Sequence, residues 1–249
     1  MTQTPWDFTP YAPFYDKRPD YSADVIKRLL DHIGARPGQK VADIGAGTGK
    51  LIKHLLKRGL NVTAVEPNAA MRAIGIGNTL GHPVRWCTGT AEATGMTGRQ
   101  FNLVTFGSSF NVTDRIKALE ETARILAPGG WFACLWNHRD LSDPLQSAIE
   151  AIIHHHIPTY DYGVRREDQT DVIEGSGFFC QVNRMEDRFV VRLSVLDHIE
   201  AWRSHATLAR QAGQNFETVI GAIKEYLSGR TVIEVPYYTR VWCAQLKGP

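Results

Sequence analysis

The chain has 249 residues, 43% of them hydrophobic and 22% charged, an ordinary globular composition with enough length for a sizeable core. Its 28 basic and 26 acidic side chains leave a net charge of +2, so the charge footprint of a nucleic-acid binder is missing. Four widely spread cysteines without a C-x-x-C pair suggest neither a zinc ribbon nor a disulfide framework, and no run of about 18 apolar residues marks a membrane span.

Residues 1–20 are rich in Pro and aromatic residues and read as an arm or short helix folding over a site. No charged segment followed by an apolar one opens the chain, which sets a soluble, cytoplasmic protein as the expectation. Residues 21–33 predict a first helix, with Val25, Ile26, Leu29, Leu30 and Ile33 on one face. The apolar strand start Lys40-Val41-Ala42 then runs into Asp43-Ile44-Gly45-Ala46-Gly47-Thr48-Gly49, and a helical stretch follows from Lys50 to Arg58. Glycines at alternate positions put bare backbone in a tight turn, open to a ligand at the helix N-terminus. The spacing is wrong for two phosphate-binding turns. G-x-G-x-x-G fails in both registers, because Lys50 or Ile52 falls at the third Gly; G-x-x-x-x-G-K-S/T fails at Ile44 and Leu51. An acid followed by G-x-G-x-G suits instead a ligand without phosphate and with a cationic amino-acid end.

With this heptad the sequence resembles the class I S-adenosylmethionine-dependent methyltransferases. The resemblance implies that Asp43, Gly45, Ala46, Gly47, Thr48 and Gly49 form the first cofactor-binding motif. It also implies a Rossmann-like α/β fold with a doubly wound seven-stranded sheet in the order 3-2-1-4-5-7-6. The seventh strand would be antiparallel, and the N-terminal arm and C-terminal insertions would form a helical cap.

Later segments follow in the same order. Asn61 to Val65 reads as a second strand ending at Glu66, and Pro67 can open a helix. An acid about 20 residues beyond the glycine turn reaches a ribose hydroxyl pair in doubly wound sheets, so Glu66 is the candidate for the adenosine ribose. Pro67 and Met71 are taken with it. Val84 to Cys87 reads as a third strand, and the resemblance brings Thr90, Ala91 and Glu92 to the adenine edge. Phe101 to Phe106 reads as a buried fourth strand. Its end, including Phe106 and Gly107, would lie at the ligand crevice. Gly-Ser-Ser-Phe stands there in place of the family's N/D-P-P-Y/F motif, which argues against methylation of nucleobase or glutamine amino groups. A helix over Ala118–Ala127 would stop at Pro128-Gly129-Gly130, before a fifth strand Trp131–Trp136. Helices and loops over 144–178, a strand over Gln181–Leu193, helices over 195–228 and a last strand over Thr231–Gln245 complete the chain. This divides one methyltransferase domain into an arm and helix (1–39), a cofactor core (40–137), a substrate-side insertion (138–230) and the last strand (231–249).

Acceptor recognition is expected from the arm and the insertion. Tyr15 to Tyr21 resembles a Y-x-x-R-P-x-Y stretch of some small-molecule methyltransferases, which implies that Arg18 faces the cofactor carboxylate. Tyr15, Phe110, Trp136, Tyr160 and Trp202 are the candidate acceptor contacts. Histidine is the natural base near neutral pH. Of the nine His residues, His138 after the fifth strand and His205 over the pocket are the candidates. Adjacent His154-His155-His156 cannot share one helical face, and no metal site is expected. The expected function is methyl transfer from S-adenosyl-L-methionine, leaving S-adenosyl-L-homocysteine, to an O, N or C nucleophile of a small molecule. The alternatives are a protein or RNA methyltransferase and a non-methylating protein that binds the same cofactor. Neither the acceptor nor the oligomeric state can be read from the sequence.

Overall fold

The computed structural model describes residues 6–248. Its centre is a seven-stranded sheet in the order β3-β2-β1-β4-β5-β7-β6. The strands are β1 (Lys40–Ile44), β2 (Asn61–Val65), β3 (Arg85–Cys87), β4 (Phe101–Gly107), β5 (Leu126–Arg139), β6 (Asn183–Ser194) and β7 (Val232–Gln245). The pairs β1–β2, β2–β3, β1–β4 and β4–β5 are parallel; β7 runs antiparallel to both β5 and β6. The topology and the reversed seventh strand agree with the expectation.

Ten α-helices are described: α1 (Ala12–Tyr15), α2 (Ala23–His32), α3 (Lys50–Lys57), α4 (Ala69–Asn78), α5 (Arg115–Ile125), α6 (Pro144–His156), α7 (Thr170–Gly175), α8 (Val195–Arg203), α9 (Ala206–Ala212) and α10 (Phe216–Tyr226). Side-chain oxygens fix several starts. Ser22 accepts from the Val25 amide, Asn68 from Met71, and Asp143 from Gln146, each satisfying an amide that the first helical turn leaves free.

Alternation along the strands splits the core in two. Val104, Phe106, Phe132, Cys134 and Trp242 pack on one face with Leu119 and Ile125 of α5. Leu103, Ala133, Leu135 and Cys243 pack on the other with Val25, Ile26 and Leu29 of α2 and Ile52 and Leu55 of α3. A third cluster joins α6, α8, α9 and α10 to the ends of β6 and β7, and builds the cap.

The largest shift of an expected boundary is around Pro128-Gly129-Gly130, where β5 starts at Leu126 and not at Trp131. The helix ends at Ile125, two residues before the expected Ala127, and Leu126 already pairs with Phe101. Residues 127–130 then loop out before Trp131 pairs with Leu103. A residue before Pro is driven from helical backbone, and Pro128 has no amide to continue the helix. The early turn lets β5 begin beside β4.

Candidate functional site

The carboxyl ends of β1, β2 and β4 deliver the glycine turn, Glu66 and Ser108 to one crevice, where open α/β sheets bind ligands. Gly45, Gly47 and Gly49 have φ of +65°, +56° and +83°. At Gly45 no side chain would fit, because a Cβ would lie 2.5 Å from the Ser109 Cβ. Ser109 holds this approach by donating its hydroxyl to the Ile44 carbonyl at 2.6 Å.

A cavity of about 550 Å³ opens over the turn. Of the cofactor candidates, Gly45, Gly47, Glu66, Pro67, Met71, Thr90, Ala91 and Glu92 line it. Glu66 accepts from the Gly47 amide and from the Asn68 amide, both at 2.8 Å. Those bonds occupy part of the carboxylate's acceptor capacity and leave lone pairs for further donors. Burial raises the Glu66 pKa, so donors in the cavity would favour its ionised form.

The remaining candidates stand behind the wall. Asp43 is 1% exposed and accepts from the Thr105 hydroxyl at 2.7 Å. Burial pushes its carboxyl up to about 7, with the Glu66 charge adding to the rise. Ala46, Thr48 and Gly49 continue the turn into α3, and the buried Thr48 hydroxyl has no hydrogen-bond partner among the described residues. Phe106 and Phe110 belong to the aromatic core with Phe132 and do not line the cavities. Gly107 lies behind Tyr21, whose hydroxyl would sit 3.0 Å from an added Cβ.

A second cavity of about 100 Å³ adjoins the first over the ends of β4 and β5. The two share Trp6, Phe8, Tyr15, Ser108, Asn111 and Val112, so the arm covers both. Ser108 stands at this junction in left-handed backbone, φ +59°, and its hydroxyl meets that of Tyr21 at 2.9 Å. A non-glycine residue held there is uncommon, and such strain concentrates at functional sites.

Tyr15, Arg18, Trp136, His138, Trp202 and His205 of the sequence candidates line the second cavity. Arg18 donates through Nε to the Ser204 hydroxyl and through Nη2 to the Ser204 carbonyl, both at 2.7 Å, and stacks on Tyr15. It lines the second cavity and not the first. Tyr160 lies buried behind the wall, and its neighbour Tyr162 faces the cavity instead. Burial, aided by Arg166, Arg165 and Arg240, pushes the His138 imidazole down to about 3. His205 is likewise held well below its ordinary value by burial, with Arg18 and Arg165 adding to the effect. Both rings are therefore neutral at physiological pH. The histidine triplet closes the last turn of α6, where Glu150, one turn earlier, lies 3.5 Å from His154.

Sequence reasoning did not single out Arg139, Arg165, Arg166 and His198, all on the second cavity. His198 accepts from the Trp202 indole at 3.1 Å and is pushed down to about 3 by burial and Arg139. The available hint was the Arg165-Arg166 pair five residues beyond Tyr160, a candidate acceptor contact.

Residues 42–134 match a family model described as a methyltransferase domain. An uncharacterised methyltransferase of Mycobacterium tuberculosis (strain H37Rv) is 37% identical over 123 residues, which cover 49% of this chain and 48% of that protein. A ubiquinone/menaquinone biosynthesis C-methyltransferase of Vibrio vulnificus is 31% identical over 169 residues, 61% of this chain and 63% of that one. The matched stretches thus span less than two thirds of these relatives. Among solved structures, one described as a type II methyltransferase from Anaeromyxobacter dehalogenans superposes with a TM-score of 0.64 at 18% identity, covering 92% of this chain and 97% of that chain. A phosphoethanolamine N-methyltransferase of Haemonchus contortus in complex with S-adenosyl-L-methionine gives 0.54 at 16%, covering 97% of this chain and 57% of the other. At such identities these structures establish the fold alone. Residues 42–134 are thus similar to a methyltransferase domain, and the glycine turn, the acid at the end of β2 and the sheet order agree with that similarity.

Proposed function

We propose that the protein transfers a methyl group from S-adenosyl-L-methionine to an O, N or C nucleophile of a small molecule, releasing S-adenosyl-L-homocysteine. The observation that carries this reading is the pair of adjoining cavities. One is walled by bare glycine backbone and Glu66, and the other is covered by the arm and the cap helices.

The residues present fit the cofactor. About 550 Å³ lies within the usual range of small-ligand sites. Side-chain-free Gly45 and Gly47 allow close approach, and Glu66 retains acceptor capacity for a ribose hydroxyl pair. Thr90, Ala91 and Glu92 would hold the base, and Asp43 would balance a cationic amino group from beneath the turn. The bound cofactor supplies an electrophilic methyl carbon on a sulfonium. The chain's own contribution is alignment, on the order of 7 kcal/mol or more of the barrier when nucleophile and carbon are held in line. Trp6, Phe8 and Tyr15 shield the junction of the cavities from water. His138 and His205 are the available proton acceptors for a hydroxyl or acidic carbon; an amine or carboxylate needs none. No described helix is long and apolar enough to cross a membrane. All four cysteines are free thiols, which supports a reducing, cytoplasmic setting.

The test is calorimetric titration with S-adenosyl-L-homocysteine, followed by an acceptor screen with labelled cofactor. Gly47→Val places a β-branched side chain at φ +56°, facing Met71 Cε at 3.3 Å, and should abolish cofactor binding in a chain that remains folded. Normal binding by this variant, or label transferred to protein or RNA instead of small molecules, would refute the reading.

A further inference from the structure

The second cavity is lined by five cationic side chains, Arg18, Lys50, Arg139, Arg165 and Arg166, and by no Asp or Glu among the described residues. A chain with a net charge of +2 gives no compositional reason for this concentration. Four of the five donate hydrogen bonds within the protein, Arg166 only a long one of 3.4 Å to the Arg139 carbonyl. Arg139 pairs with Glu150 at 3.1 Å and donates to Tyr162 at 2.9 Å. Lys50 donates to the Asp16 carbonyl at 3.0 Å, and Arg18 is tied to Ser204.

Arg165 and Arg166 differ. Neither forms an ion pair with a carboxylate among the described residues, although each is only partly exposed. Both guanidinium groups lie against the Tyr162 ring, at 4.8 and 3.9 Å from its centroid, which holds them beside one side chain. The Nε atoms of both are shut off from solvent and have no hydrogen-bond partner. The same holds for His138 Nε2, His198 Nδ1 and His205 Nδ1 on the same walls. Buried polar atoms are nearly always paired, so these unpaired ones mark the walls of this cavity as a polar lining that the protein itself leaves incompletely satisfied. Desolvation lowers the Arg165 pKa to about 10, the mark of a cation missing its counter-charge. A guanidinium fork matches the oxygens of a carboxylate or phosphate, and does so most strongly where water is excluded.

We propose that the methyl acceptor is a small anion whose carboxylate or phosphate is held in this cavity by Arg165 and Arg166. The inference rests on the methyl-transfer reading for the word acceptor, but the anion site stands on its own geometry. Arg165 and Arg166 act as binding groups that fix the anionic end, while the nucleophilic atom faces the junction at Ser108.

The test titrates the protein, saturated with S-adenosyl-L-homocysteine, with hexanoate, benzoate and phenyl phosphate, and with hexanamide, benzamide and phenol as neutral counterparts. At least one anion is expected to bind ten-fold or more tighter than its neutral counterpart. Arg165→Gln and Arg166→Gln should each weaken that anion ten-fold or more, with the affinity for S-adenosyl-L-homocysteine unchanged as the control for folding. Arg165→Lys, which keeps the charge and loses the fork, should fall between. Preference for benzoate over phenyl phosphate assigns a carboxylate, and the reverse a phosphate. Absent anion binding, equal binding of the neutral compounds, or anion binding that survives both glutamine variants overturns the proposal. Failure of the wild-type protein to bind S-adenosyl-L-homocysteine counts instead against the methyl-transfer reading, and the anion titrations are then read on the free protein.

Discussion

Asp43→Asn should stabilise the free protein at alkaline pH while weakening the proposed cofactor binding. Asp43 is 1% exposed, and its pKa is raised from 3.8 to about 7. That rise makes the ionised form about 4 kcal/mol less favourable in the folded chain than in the unfolded one. The folded chain keeps a proton at pH values where the unfolded chain has lost it. Stability therefore falls as pH rises from 3.8 to about 7 and is flat above. Asparagine removes this dependence and keeps an oxygen for the Thr105 hydroxyl, but its buried amide protons cost about 1–3 kcal/mol if unpaired. The variant should be less stable than wild type at about pH 4 and more stable by about 1–3 kcal/mol at about pH 8. The difference between the two conditions is about 4 kcal/mol, the more reliable quantity. Urea unfolding of both proteins across that range measures it. Calorimetry at about pH 8 should show S-adenosyl-L-homocysteine binding weakened ten-fold or more, about 1.4 kcal/mol. A stability difference that does not change with pH would refute the reasoning, because Asp43 would then ionise in the folded chain as easily as in water.

Two further outcomes follow from the same site. Gly45→Ala should destabilise by about 1–2 kcal/mol for left-handed backbone and a further 1–3 for the contact with Ser109. The double variant with Ser109→Gly should recover the second part in urea unfolding, and strict additivity would show that the contact is not the cause. His138, pushed down to about 3, is neutral in the folded chain and charges at about 6.5 in the unfolded one. Its stabilising contribution is complete above 6.5 and is lost as pH falls toward 3, at about 1.4 kcal/mol per pH unit. His138→Gln should lower the acid slope by about 1.4 kcal/mol per pH unit, with the shares of His198 and His205 remaining. Turnover should fall sharply in this variant only if the acceptor must lose a proton, which the pH profile of kcat in the two proteins separates.

Much of the core was legible because its instructions are local. A glycine at alternate positions is written in seven residues, and the acid after β2 and the helix-ending Pro-Gly-Gly need only their neighbours. Gly45 shows the limit of that legibility. The turn was readable, but that it must be Gly because Ser109 lies 2.5 Å from any Cβ depends on β4 lying beside β1. Phe110 and Tyr160 illustrate the opposite case. Both are aromatic residues in readable segments, yet their burial was set by Phe132 on β5 and by the cap helices.

By itself, the sequence determined the glycine turn and the acid at the end of β2, because both act through backbone conformation and nearest neighbours. Tertiary structure alone decided the lining of the second cavity. Arg18 on the arm, Arg139 at the end of β5, and Arg165 and Arg166 beyond α6 share a cavity only once β7 has reversed against β5 and the cap has closed. A charge pattern assembled across some 150 residues has no periodicity to read, and only the fold gathers these four arginines around one cavity.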